Sequence, residues 1–356
     1  MNADRSIQEY STNRRTILKS MLAVPLLGTL GTTACVDPTS GGSSGSGGLS
    51  VLNIGQISNS VAFFPLFIAE EKGYFTDAGL RMGERPRLGT GAKLAAALRS
   101  GSIDIGAGVT TDAFNLAKVD KGAKLVSALV TEYYVDVVIG NNFAGPGPDA
   151  PLEEKIRALV GKQVGITGPG SGTEALVTYL LGTVGIDASR EVTLVNLGSA
   201  ATAAIGALTA ARVDALVFFQ PIGQMAETQN VGKIYISPAR GDVPVLKGAL
   251  HGVAFSSEQI ISDKSQQIEA FHTSIGRSLE EIHNNPEGTK ELLSKYLNET
   301  DPATVTALMD ILPKQTPKTP DISAASYDVS RTFHQESGLV EDAPDFDSMV
   351  RTESKA

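Results

Sequence analysis

Three glycine-bearing loops hold the residues best suited to engage a ligand: Gly89-Thr90-Gly91, Gly108-Val109-Thr110-Thr111 and Gly168-Pro169-Gly170-Ser171-Gly172-Thr173. The second and third follow an apolar run that reads as a strand, and all three precede a helical pattern. There, unpaired backbone N–H groups and the helix dipole can hold a polar or anionic group. The third loop is no Walker A motif, since no Gly-Lys-Ser/Thr follows, and it lacks the dinucleotide spacing. One such loop alone would read equally well as a capped strand-to-helix turn. Three of them favour a binding site, because open α/β sheets take ligands at the carboxyl ends of their strands.

Catalytic chemistry finds little footing. The histidines are His251, His272, His283 and His334, and none stands in HxH, HxxH or HExxH spacing. His272 and His283 could share a helix face, but three turns separate them, too far to share a metal. There is no GxSxG or SxxK, and the only cysteine, Cys35, lies near the N-terminus. We expect no enzyme, no metal and no cofactor.

The elements that must position these loops alternate. Val51–Gly55 reads as a strand, Pro65 opens a helix ended by Gly73, and Ala92–Arg99 is an alanine-leucine helix. Ile103–Gly108 is a strand, Thr111–Lys121 a helix, and Lys124–Val130 and Val135–Gly140 are strands. After the break at Ala144-Gly145-Pro146-Gly147-Pro148 the pattern restarts. Strands are expected at Gln163–Thr167, Val192–Leu197 and Ala215–Phe219, with helices at Leu152–Leu159, Glu174–Leu181 and Ala200–Ala210. Val253–Phe255 reads as a returning strand. Ile268, Phe271, Ile275, Leu279 and Ile282 then form one apolar helical stripe, stopped at Asn285-Pro286. This is an α/β protein with a mostly parallel sheet and a helical C-terminal tail.

The N-terminus addresses the chain. Arg14-Arg15 precedes an apolar stretch from Met21 to Leu30, short of the roughly 18 residues that a membrane span needs. The pattern resembles a twin-arginine (Tat) export signal. Thr32-Thr33-Ala34-Cys35 resembles a lipobox whose cysteine becomes the lipidated first residue, although Thr32 stands where that pattern prefers leucine. Ser40–Gly48 is a Gly/Ser leash spanning roughly 15–18 Å as flexible coil. Removing residues 1–34 takes four basic and two acidic residues from totals of 30 and 39, leaving a net charge of −11. Such acidity, without a Lys/Arg run, excludes a nucleic-acid partner. With Cys35 at the terminus, no internal disulfide forms.

Pro65–Leu80, PLFIAEEKGYFTDAGL, is similar to the opening signature of ABC-transporter solute-binding proteins of the NMT1/THI5-like group, which includes aliphatic-sulfonate, taurine, nitrate and pyrimidine-precursor binders. Leu98–Gly106, Leu159–Ile166 before Pro169-Gly170-Ser171, and Ala210–Ala215 resemble the family in the same order, over about residues 51–300.

The resemblance implies a two-lobed, type II periplasmic-binding fold. Its hinge of two crossing strands would lie near Val135–Gly140 and Gly252–Phe255, and ligand would be enclosed between the lobes. The expected division is an export signal at 1–34, lipidated Cys35 and linker at 35–48, lobe I at 49–138, lobe II at 139–250, and the return to lobe I with C-terminal helices at 251–356. Carried over position by position, the ligand residues would be Gln56, Ser58 and Asn59; Phe63 and Phe64; Thr90 and Gly91; Thr110 and Thr111; and Glu132, Tyr133 and Tyr134. Ser171, Gly172 and Thr173, then Phe218, Phe219 and Gln220, and finally His251 complete the set.

The resemblance implies a monomer that delivers a small molecule to an ABC permease and its ATPase; the lipobox-like junction would tether it to the membrane through a lipid anchor at Cys35. Alternatives are a binding protein that signals to a membrane receptor, and a pyrimidine-synthesis enzyme; the latter relies on a cysteine-rich segment that this chain lacks. The candidate loops hold no arginine, and Lys93 is the only nearby cation. Asp112 and Glu132, if inward, would suit an amine; the aromatic pairs favour a planar ring. Sulfonate, aromatic acid and nitrogen heterocycle all stay open.

Overall fold

Short β-branched runs set the framework of the protein, whose computed structural model describes residues 49–356. The export signal, Cys35 and the Gly/Ser leash fall outside the described residues. The strands are β1 (Ser50–Leu52), β2 (Ile54–Gln56), β3 (Leu80–Met82), β4 (Ile105–Val109), β5 (Ala123–Val130), β6 (Val135–Gly140), β7 (Gln163–Ile166), β8 (Thr193–Asn196), β9 (Ala215–Phe219), β10 (Gly232–Ile236) and β11 (Gly252–Ser257). The first expected strand is thus two. Asn53 separates them by giving its N–H to the Asp104 carboxylate (2.8 Å), so β1 pairs with β3 while β2 enters the main sheet.

Two sheets carry the body. One has the order β2-β4-β11-β5, the other β10-β6-β9-β7-β8. Both are mixed rather than mostly parallel. In the first, β2 and β4 run parallel while β11 is antiparallel to β4 and β5. In the second, β7 is parallel to β8 and β9, and β6 is antiparallel to β9 and β10. The reason lies in the connections: strands that enter from the other sheet have no βα crossover to orient them parallel.

The chain passes between sheets at Thr131–Tyr134, immediately before β6, and again in the stretch ending at His251, immediately before β11. All of β6 is laddered to β9 and β10, which moves the division expected after residue 138 back to that first crossing. The second crossing is pinned at its end, where the His251 N–H donates to the Val130 carbonyl (3.0 Å) and the His251 carbonyl accepts from Thr110 (2.8 Å).

Each sheet has its own apolar packing. The helix Ser265–Asn284 lays Ile268, Phe271, Ile275, Leu279 and Ile282 into the first core, all fully buried. Such a stripe, at roughly 1.5–3 kcal/mol per buried side chain, is a main source of its stability. The C-terminal tail does more than cap this lobe. The helix Ala324–Glu336 puts Tyr327 against Phe114 of the first lobe, while Phe333 packs on Tyr133 and on Tyr179 of the second.

Candidate ligand-binding cleft

A cleft of about 510 Å³ opens between the two sheets, where the ends of β2, β4, β7 and β9 face one another. Three helix N-termini reach it: Gly91–Arg99, Thr110–Val119 and Gly172–Thr183. Thr90 and Ser171 are the N-caps of the first and third, accepting from the N–H groups of Lys93 and Glu174. The Asp112 carboxylate does the equivalent work for the second, taking the Val109 N–H through Oδ2 at 2.9 Å. Caps of this type satisfy donors that the helix leaves open.

Of the expected ligand residues, the cleft wall contains Ser58, Thr90, Gly91, Tyr134, Ser171, Gly172, Thr173, Phe219 and His251. The others are turned to structural duties. Gln56 is buried, its amide donating to the Ser58 carbonyl and Tyr296 Oη. Asn59 is exposed and accepts from Arg87 (2.7 Å). Phe63 and Phe64 are fully buried in the first core, because the helix that begins at Phe64 faces that core and not the opening. Thr110 gives its hydroxyl to the Leu250 carbonyl, and Thr111 pairs with His334 Nε2 at 2.6 Å. Glu132 accepts from the Gly248 N–H (3.2 Å), and burial raises its pKa. Phe218 points into the second core, since successive strand residues alternate faces and only Phe219 faces the cleft. Gln220 is buried just before Pro221.

Tyr133 stands behind the wall and shapes it. Its hydroxyl donates to the Gly172 carbonyl at 2.6 Å, and its ring lies 4.1 Å from that of His251. A Cβ on Gly172 would come within 3.1 Å of Tyr133 Oη and 3.2 Å of Thr111 Oγ1. A valine there would therefore strike the fold as well as any ligand. Tyr134, next in sequence, turns its ring to His251 at 4.7 Å and accepts from Ser60 at 2.8 Å.

Several wall residues escaped the sequence reading. Arg99 lines the cleft, so an arginine is present after all, and Lys93 does not line it. Ala92, Ala95, Ala96 and Arg99 form one face of their helix. That spacing of three and four residues was the signal that could have found them. Ile57, Asn115, Val119, Val135, Thr167 and Ser199 were missed as well. Asn115 reaches across the opening, donating to the Gly170 carbonyl of the opposite loop at 3.1 Å.

The electrostatics are unusual for a site framed by helix N-termini. Burial pushes the Asp112 carboxyl up to about 6, against the pull of its bond from Val109. Burial also holds His251 down to about 3, with a smaller push from His334, so its imidazole is neutral at physiological pH. His272 and His283 are engaged elsewhere, with Ser127 and Asp321 and with the Thr316 carbonyl. Among the described residues no group of three or more His, Cys, Asp or Glu could hold a metal ion.

Two mixed α/β lobes linked by paired crossings, with a cleft at their facing strand ends, define the fold of periplasmic binding proteins. Residues 60–289 match the family model described as NMT1/THI5 like. The chain belongs to that family. Solved structures agree on the fold. The alkanesulfonate-binding protein SsuA from Xanthomonas axonopodis pv. citri, bound to MOPS, superposes with a TM-score of 0.68 at 17% identity, over 85% of this chain and 98% of its own. A Candida albicans protein described as having the generic periplasmic binding protein fold gives 0.65 at 18% identity, over 85% and 96%. The nitrate-binding protein NrtA from Synechocystis PCC 6803 gives 0.60 at 16%, over 72% and 69%. No curated protein sequence matches the chain.

Proposed function

We propose that this protein is the extracytoplasmic solute-binding component of an ABC importer, a monomer that captures a small organic molecule between its lobes and presents it to a permease and its ATPase. The observation that carries this reading is the cleft itself. At about 510 Å³ it has the size of a small-molecule site, and its wall sets a few polar groups among aromatic and aliphatic ones, as such sites do. Membership of a family that includes import proteins, and the likeness of fold to sulfonate- and nitrate-binding proteins, support the same role. The ligand class is a sulfonate, an aromatic acid or a nitrogen heterocycle.

A thermal-shift screen over those three classes tests the role. A ligand that binds only the folded protein adds roughly 2.7 kcal/mol of stability at 100 times its Kd, a clear rise in melting temperature. Failure of every class to stabilise the protein would remove the reading.

Export and anchoring are part of the same proposal. Arg14-Arg15 and the Ala34-Cys35 junction support a lipoprotein held outside the cytoplasmic membrane. No helix among the described residues is long and apolar enough to cross a membrane. Cys35→Ser should move the protein from the membrane fraction to the soluble one. An unchanged distribution, with no processing of the N-terminus, would refute the anchor.

A further inference from the structure

We infer that the cleft selects a ligand that offers an N–H group to Asp112, an amine, amidine or protonated ring nitrogen on a planar ring, and turns away simple anions. This rests on the solute-binding reading; of the three open classes it keeps the nitrogen heterocycle, and it adds amines and amidines, which those classes did not include.

Asp112 is 6% exposed and lines the cleft. Oδ2 is engaged by the Val109 N–H. Among the described residues no donor meets Oδ1, and no lysine or arginine pairs with the carboxylate; burial and the Val109 bond are the influences on it. Oδ1 lies against the backbone of Gly91, where a Cβ would stand only 2.0 Å away. A glycine at the start of the neighbouring helix is therefore what lets the carboxylate occupy this place.

Two more wall atoms lack protein partners. Ser58 Oγ and His251 Nδ1 are buried and unbonded. Buried polar atoms are nearly always satisfied, so these two, beside the free Oδ1 of Asp112, describe the complement of a ligand. An ionised carboxylate can only accept, and a neutral imidazole accepts through one nitrogen. The match is a molecule that donates toward Asp112, with a charge-assisted bond as the strongest single contact. Tyr134, Phe219 and Ile57 supply flat and apolar walls for its ring. An anion in the same place would meet an uncompensated negative charge. Arg99 stands at the exposed end of its helix and does not offset it.

The groups that face Asp112 keep one charge state across the working range. His251 and His334 stay neutral above about 3 and 4, and Tyr133 and Tyr134 are raised by burial. Only Asp112 changes, near 6. Affinity for a cationic ligand should then fall as pH drops from 7.5 to 5, whereas affinity for an anion should rise.

Benzamidine and benzoate, nearly the same shape and opposite in charge, are the probes, with benzenesulfonate as a second anion. Calorimetric titration of the mature protein at pH 7.5 should give benzamidine at least tenfold tighter binding than either anion, weakening severalfold at pH 5. Asp112→Asn, checked for native circular dichroism, should lose tenfold or more for benzamidine and level the three probes. Should the variant not fold, the pH dependence of the wild-type protein decides alone. Tighter binding of benzoate or benzenesulfonate overturns the inference while leaving a solute-binding protein. Absence of benzamidine binding also overturns it. Only if no compound of the wider screen binds does the parent reading fall too.

Discussion

Asp112 shows how a single side chain can serve a site at the expense of the fold. Its pKa in the folded protein, about 6, stands above its ordinary 3.8. A carboxyl raised in this way contributes stability that is fully present below 3.8 and is lost as pH rises through 6. The shift corresponds to roughly 3 kcal/mol against the fold at neutral pH. Asp112→Asn should accordingly melt higher than wild type at pH 8, with the gain vanishing near pH 4. Equal melting temperatures at pH 8 would mean that the carboxylate is solvated in the cleft. His251 acts in the opposite sense: held neutral by burial, it supports the fold above pH 6.5 and withdraws that support as pH falls toward 3. Melting His251→Gln beside wild type from pH 7 to 4 should show the variant losing less.

At the scale of elements, the loop before the helix Gly172–Thr183 has two duties that can be separated. Ser171 Oγ caps the helix by accepting from Glu174 and also bonds Thr173 Oγ1 at 2.7 Å, while the Gly170 N–H is held by Glu174 Oε2 at 2.6 Å. The hydroxyls are thus partly spent within the loop. Ser171→Ala should lower stability by about 1 kcal/mol, the ordinary worth of an N-cap. Because Ser171 also lines the cleft, affinity should be measured on the same variant. A stability loss with unchanged affinity would assign the residue to the cap alone.

For the whole molecule, the contacts that span the two lobes decide how it can move. Asn115 bonds the Gly170 carbonyl across the cleft mouth. On the other side of the hinge, the helix Ala324–Glu336 binds Thr111 of the first lobe through His334 and packs Phe333 against Tyr179 of the second. Such a helix limits how far the lobes can part, since opening must either break the Phe333 contacts or carry the helix along. Small-angle scattering with and without a stabilising ligand should therefore show a modest contraction. A large change in radius of gyration would mean that the helix lets go of one lobe, and no change would exclude closure.

Local patterns in the chain determined much of this protein. The alternation of apolar runs and helices set the α/β class. The stripe from Ile268 to Ile282, at helical spacing, named five core residues that are all fully buried. The glycine loops at Thr90, Thr110 and Ser171 marked three helix starts. These follow from short-range rules of backbone conformation and periodicity, which neighbours in sequence suffice to express. Only the tertiary structure decided which face of each loop looks into the cleft. Thr111 and Gln56 sit in loops that face the site, yet they turn to His334 and Tyr296, more than two hundred residues away. Phe218 and Phe219 parted to opposite sides of one strand, and Arg99 entered the wall because its helix lies along it. The direction of a side chain depends on what distant elements pack against it, and the Tyr133 and Tyr134 rings that help bury His251 come from more than a hundred residues away.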